Sequence, residues 1–457
     1  MRTMIKSSCP WIGFLVALMA CQSPAVVPAP DAGDAGADTD ADNDTEADID
    51  ADADAGFGDL LEALPEDCES DDALPNSCEE LGYTFGGRLL YTRDCRVDER
   101  RCRQFVSIAA GEAHVCAVLA DGHVLCWGNN EFGQLGNGAN SYEPVPRPQE
   151  VVGLTGVVKV ACEVHRTCAV TGEGLVYCWG LNSGGVLGTG TSAVAEYAPV
   201  LVPELTDVVD LTLGSIHSCV VLRDGTARCW GDNGVGELGD SSRDDSSTPV
   251  RVTGITTAVS IDAGSSHTCL ILADKTVKCW GRNVTGTLGD GSTTERPWPV
   301  IARYLFGVVA VSVWEKNNLA LLEDGRVYGW GGCNEVMVPE EYEGYVTIPL
   351  ENPYVHDAVG VATGWMHACT LQVDGTVACW GRGSEGQLGE AGMTGSRTPV
   401  PIAGVSAAGM IASGRSHICA LVQQGKKIFC WGLNHYGQLG LNFTGWQHSA
   451  VPLEIIP

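Results

Sequence analysis

The residues best equipped for chemistry lie close together. In HSCVVLRDGTARCWG, His217 to Gly231, one imidazole, two thiols and one carboxylate fall within fifteen residues. A histidine with two cysteines at short range could ligate zinc, and a thiol beside an imidazole could serve as a nucleophile. The arrangement comes round seven times, ending on Trp127, Trp179, Trp230, Trp280, Trp330, Trp380 and Trp431, at intervals of 50 to 52 residues. A fixed period of this size marks a repeat architecture, in which each unit buries its apolar face against its neighbours. His114, His217, His267, His367 and His417 take one slot per repeat, and Arg166 and Asn317 interrupt the series. Metal sites need convergent ligands with outer-shell support, so a slot spread over separate units reads as structural. The chain also lacks a nucleophile elbow, a phosphate loop and a zinc-protease helix. No catalytic residue, metal or cofactor is expected, and the protein reads as a non-enzyme.

The elements that hold these residues are short. Each repeat opens with an apolar-alternating run ending in Gly, as in Val106 to Gly111 or Val259 to Gly264. A His-x-Cys strand, an Asp-Gly turn and a Cys-Trp-Gly strand follow. A polar loop with Gly-x-Leu-Gly then leads to a Pro-Val strand such as Thr248 to Val252 or Thr398 to Ile402. Four short strands joined by turns make a blade of antiparallel sheet. The class is all-β, and seven blades placed radially over residues 104–457 close a ring.

The turn sets the register. If Arg223-Asp224-Gly225 is a three-residue hairpin loop with Gly225 left-handed, Leu222 pairs with Thr226 and Cys219 faces Cys229. Opposed residues at a non-hydrogen-bonded site bring their Cβ atoms within reach of a disulfide. The spacing recurs at Cys116 and Cys126, Cys168 and Cys178, Cys269 and Cys279, and Cys369 and Cys379. Cys419 and Cys430 are eleven apart, with the extra residue absorbed near Gln424-Gly425. Each bridge is expected to stabilise its blade by about 2 to 3 kcal/mol. Cys162 and Cys333 stay unpaired.

Residues 1–20 carry Arg2 and Lys6 and an apolar run from Trp11 to Ala20, whose last three residues together with Cys21 form a Leu-Met-Ala-Cys stretch that resembles a bacterial lipobox. This reads as a signal peptide of the lipoprotein type, with Cys21 as the lipidated residue. Residues 21–59 form an acidic tether in which Asp31 to Asp59 holds eleven Asp, one Glu and no Lys or Arg; such a segment has little to bury and repels itself. The formal net charge of −30 disfavours nucleic acid as a partner. Residues 60–103 form a small module with Cys68, Cys78, Cys95 and Cys102. Two disulfides are its expected staples, in any of three pairings.

At this point a family is recognisable. IAAGEAHVCAV (Ile108 to Val118), IDAGSSHTCLI (Ile261 to Ile271) and IASGRSHICAL (Ile411 to Leu421) resemble the signature of the regulator of chromosome condensation repeat, as do WGNNEFGQLG (Trp127 to Gly136) and WGLNHYGQLG (Trp431 to Gly440). The resemblance implies a seven-bladed β-propeller over about Gln104 to Pro457. Its known members include a nucleotide exchanger for a small GTPase that binds chromatin, and secreted bacterial propellers, one of them an inhibitor of β-lactamases. The fold is a platform, so function must come from its surface.

Departures from the repeat are therefore the informative positions. The pair after each Gly of the Gly-x-x-His turn should sit on one rim near the axis, and there Trp365, Met366 and Arg415 have the composition of an interface hot spot. Repeat five lacks the cysteine pair and puts Trp314 at the turn Gly. It then runs through an acidic, aromatic segment with Tyr342 and Tyr345. These six residues are the candidate partner contacts. The expectation is an exported, lipid-anchored, monomeric propeller that binds or scaffolds another protein at the cell envelope. It sits at the outer membrane or cell surface, or is otherwise secreted. Inhibition of a secreted or periplasmic hydrolase, and a carbohydrate-binding or enzymatic propeller, are the alternatives.

Overall fold

One tight turn builds the blades. Between the second and third strands of the third blade, Gly225 takes φ 78°, the Leu222 amide donates to the Thr226 carbonyl at 2.8 Å, and Asp224 Oδ1 accepts the Thr226 amide and hydroxyl at 2.9 and 2.7 Å. A left-handed residue at this place suits glycine and matches the twist of the strands. The expected register follows, with Cys219 opposite Cys229 and disulfide-bonded at a Cα separation of 4.1 Å. The same pairing joins Cys116–Cys126, Cys168–Cys178, Cys269–Cys279, Cys369–Cys379 and Cys419–Cys430. In the last, a short 3-10 turn at Gln423–Gly425 takes up the extra residue, with Gln423 and Gln424 both at positive φ.

The computed structural model describes residues 77–81, 83, 102–332, 344–441 and 448–455, with the backbone of three short strands at Leu60–Leu61, Leu90–Thr92 and Val97–Asp98. The expected signal peptide, Cys21 and acidic tether, together with Cys68, Cys95, Cys333 and Tyr342, lie outside the described residues. Seven four-stranded antiparallel sheets follow in chain order. Their first strands are Phe105–Ala110, Val157–Glu163, Val208–Leu213, Ala258–Ala263, Val308–Trp314, Ala358–Gly364 and Ala408–Ser413. These define blades 1 to 7, and the first strands of successive blades pack on one another around the axis.

The repeated tryptophans bind blade to blade. Each is buried, and six donate their indole N–H backwards to a carbonyl in the preceding blade's Gly-x-Leu-Gly loop, Trp179 to Gln134 at 2.9 Å and Trp280 to Glu237 at 2.7 Å among them. A buried indole needs such an acceptor, and its ring fills the seam with apolar area. Trp127 donates across the chain ends to Gln438 at 3.0 Å, so blade 7 closes on blade 1. Among the described residues no strand is exchanged at this closure: blade 1 ends with Ser141–Glu150 and blade 7 with His448–Glu454. Beneath it, Cys78–Cys102 closes a small loop whose Tyr83 ring lies 4.5 Å from the Lys426 ammonium of blade 7.

Candidate partner-binding rim

The histidine slot joins neighbouring blades. His114 Nε2 meets the Thr167 hydroxyl at 2.9 Å, His217 meets Thr268 at 2.7 Å, His267 meets the Asn318 side chain at 2.8 Å and His367 meets Ser413 at 2.7 Å, each across a blade boundary. Burial pulls these imidazoles and His417 down to about 3 or 4 and keeps them neutral. The glycine three residues earlier exists to admit the ring. A Cβ on Gly214, Gly364 or Gly414 would fall 2.2 to 2.4 Å from the imidazole Cε1.

That contact explains why the histidine series is interrupted. In blade 2 the glycine is Glu163 and the histidine is Arg166; in blade 5 they are Trp314 and Asn317. A side chain at the first position excludes an imidazole at the second, so the two change together. Glu163 is fully buried, and desolvation pushes it well above the ordinary carboxylate range against the pull of Arg166. Arg166 donates to the carbonyls of Ser215 and His217 at 2.9 and 2.8 Å, and also to Gly214. Trp314, expected at a binding surface, is instead completely buried in the core. The expectation rests on the divergence of repeat five, whereas the absent imidazole leaves an interior space that the indole fills.

The other expected rim residues do come together. Trp365 lies half-buried between two guanidinium groups, with Arg382 at 4.8 Å and Arg415 at 5.1 Å from its ring centre. Its amide donates to the Arg415 carbonyl at 2.9 Å, and Arg415 is ion-paired to Glu112 of blade 1 at 2.5 Å. Each stacked cation contributes about 0.5–1 kcal/mol and fixes the plane of the ring. The indole Nε1 is buried without a hydrogen-bond partner. Met366, beside it, is held at φ 61°. Arg382 also lines a cleft of about 500 Å³ with Thr394, Ser396, Arg397 and Thr398. Tyr345 stands 54% exposed on blade 5.

Several surface residues were missed. Phe132 packs at a tilt on His165 with ring centres 4.8 Å apart, and His435 meets Tyr436 edge-on at 4.5 Å, which adds aromatic pairs on blades 1, 2 and 7. Aligning the loops after Trp-Gly would have found them, since Phe132 and Tyr436 share a column with Val235, Thr285 and Glu385. Between blades 4 and 5, Tyr304 and Phe306 are 71% and 69% exposed. Tyr304 sits at φ 59° where other connectors place Gly153, Gly254 and Gly404. An aromatic in that conformation carries a backbone strain of about 1–2 kcal/mol that glycine avoids.

Comparison with known proteins adds to this picture. The profile of the RCC1-like domain matches residues 75–313, and that of the regulator of chromosome condensation (RCC1) repeat matches residues 374–421 and 411–438. The mitochondrial RCC1 domain-containing protein RUG3 of Arabidopsis thaliana is 33% identical over 172 residues, 35% of this chain and 38% of that protein. The human E3 ubiquitin-protein ligase HERC2 is 34% identical over 130 residues, 28% of this chain and 3% of the ligase. The matches thus span well under half the length of either relative. Among solved structures, Prp20p of Saccharomyces cerevisiae, described with its binding to Gsp1p and histones, has a TM-score of 0.66 at 22% identity over 78% of this chain and 88% of its own. Human WBSCR16 has the same TM-score and identity over 73% and 95%. At that identity the likeness concerns fold alone.

Proposed function

The chain belongs to the RCC1-like domain family, and from that membership and the rim geometry we propose that it is a binding module, a monomeric propeller that engages another protein through the surface centred on Trp365. The observation that carries the reading is the clamp of Trp365 between Arg382 and Arg415. Trp and Arg dominate interface hot spots, and a ring already held in place loses little side-chain entropy on binding. The relative Prp20p is described with protein partners, which supports a protein ligand here. The net charge of −30 opposes nucleic acid. The lipobox-like end of the apolar amino-terminal run supports export, lipid attachment at Cys21 and a place at the cell envelope.

The test compares three full-length baits in envelope extracts: wild type, Trp365→Ala with Arg415→Ala, and Tyr304→Gly with Phe306→Ser on the connector between blades 4 and 5. A partner lost at least tenfold from the rim variant and retained by the connector variant supports the reading. Equal capture by wild type and the rim variant overturns it.

A further inference from the structure

We propose that the seam between blades 1 and 2 is a zinc site of the thiol-reduced protein, with His114, Cys116, Cys126 and Cys162 as its four ligands. The inference is independent of the partner-binding reading. An imidazole nitrogen of His114 and the sulfurs of Cys116 and Cys162 lie within 4.8 Å of one another, and all three residues are buried. Cys126 is bonded to Cys116, which holds its sulfur 2.07 Å from one corner of that triangle.

The donor set has the chemistry of a structural zinc centre: three thiolates and one imidazole, arranged tetrahedrally. With zinc–sulfur bonds of about 2.3 Å, neighbouring ligand atoms stand roughly 3.8 Å apart. The three atoms now within 4.8 Å would draw in by about 1 Å or less, and the two sulfurs of the opened disulfide would separate to that distance. The site also has an outer shell. The Thr167 hydroxyl lies 2.9 Å from His114 Nε2 and 4.0 Å from Cys116 Sγ, and it donates to the Gln134 carbonyl at 2.8 Å. Anchored groups of this kind orient metal ligands.

The repeat supplies its own controls. Blades 3, 4 and 6 also carry a histidine and two cysteines at the same spacing, and blade 7 carries them with one residue more between the cysteines. The residue that the following blade contributes at the place of Cys162 is Ala263, Val313, Ser413 and Ala110, respectively. Only the blade 1 set receives a fourth metal ligand. Cys162, moreover, is the free cysteine among the described residues.

The chemistry balances without unnamed reagents. A dithiol reductant gives two electrons and two protons to the Cys116–Cys126 bond and becomes a disulfide. Zinc then displaces three thiol protons and takes the neutral imidazole. In an oxidising compartment the four side chains form one disulfide and one buried thiol; in a reducing one they close around the metal.

The experiment uses the full chain, reduced and then titrated with cobalt(II) and zinc(II). One equivalent of cobalt should bind with the ligand-field and thiolate charge-transfer bands of a four-coordinate site, and zinc should displace it. Cys162→Ala places there the residue that blades 1 and 4 already have, and its loss of affinity should exceed the roughly 10–100-fold typical of losing an outer-shell partner. Cys219→Ser in blade 3 should change nothing. A second arm avoids reduction: a Cys126→Ser chain, isolated with zinc present and its other disulfides intact, should hold one zinc, and the same chain with Cys162→Ala should hold none. Binding that is unaffected by Cys162→Ala, or no binding in either arm, overturns the proposal.

Discussion

Two arcs of the ring are joined by different means. The first strand of every blade is the inner edge of its sheet, with backbone N–H groups turned toward the axis. From blade 3 to blade 6 the preceding blade covers them. Thr212 accepts from the Ala263 amide at 3.1 Å, Asp262 from Val313 at 2.7 Å and Ser312 from Thr363 at 3.1 Å. Asp210 adds a bond from Ile261 at 2.9 Å. The equivalent residues in blades 6, 7, 1 and 2 are Ala362, Ala412, Ala109 and Ala161, whose side chains have no acceptor to offer. At the inner edge one arc is stitched and the other only packed, its cross-blade bonds lying farther out, at His114, Arg166, His367 and Arg415. The packed arc holds the closure of the ring and also Trp365, Tyr436 and Phe132. A binding surface laid over the less constrained half of a propeller can adjust to a partner while the stitched half keeps the ring intact.

Acid should separate the arcs most. The buried imidazoles have folded values of about 3 to 4, below an unfolded value of about 6.5. Their contribution is therefore complete above that value and lost as pH falls below it. At pH 5 each costs about 2 kcal/mol, so five approach the whole stability of a domain. Three of them, His114, His367 and His417, belong to the packed arc. Asp262, in the stitched arc, has the opposite sign: burial raises it to about 8, so its contribution is present in acid and fades as pH rises toward 8. Hydrogen exchange between pH 7 and 5 should show the amides of blades 6, 7 and 1 opening before those of blades 3 to 5. Uniform opening would remove the distinction.

The next effect is confined to the stitches. Asp262→Ala strands the Thr212 hydroxyl and the Val313 amide, two buried donors that now reach its carboxyl group; the Ala263 amide, which also reaches it, keeps the Thr212 oxygen. With buried donors unmatched the loss should be about 3 kcal/mol, read as a lower urea midpoint at unchanged slope. A glycine-slot change should cost less. In Gly264→Ala the new Cβ would lie 2.7 Å from His267 Cε1 and 3.2 Å from Val313 Cγ1, an overpacking of about 2 kcal/mol. Adding His267→Asn should recover part of it, because blade 5 already combines a side chain at this slot with Asn317. A double-mutant cycle with no coupling would break the account of the exchanged pairs.

These devices differ in how far the sequence discloses them. The hairpin and its disulfide are local: Asp-Gly sets the register, and Cys219 and Cys229 follow by counting along one strand pair. The fate of Trp314 depends on a partner three residues away whose meaning appears only when Asn317 is set beside it, so it was placed on the surface. The column of Thr212, Asp262 and Ser312 is visible in an alignment of the repeats, but its acceptors serve amides about fifty residues on in the next blade, and no single-strand pattern reveals that contact. The clamp on Trp365 is intermediate. Arg415 shares its column, whereas Arg382 arrives from the Cys-Trp-Gly strand of the same blade.

The smallest predicted effect tests whether the looseness of the packed arc matters to function. Ala412→Ser puts a hydroxyl where Ser312 has one and aims it at the Ala110 amide of blade 1, across the closure. A net hydrogen bond of this kind adds about 0.5–1.5 kcal/mol, and the Ala110 amide should exchange more slowly. Trp365, Arg415 and Arg382 are untouched, so a merely static rim would bind its partner as before. If the rim adjusts on binding, stitching the seam beneath it should weaken affinity while raising stability, and the two changes should be reversed together by Ala412→Gly. Stability gained with affinity unchanged would confine the role of the two arcs to holding the ring.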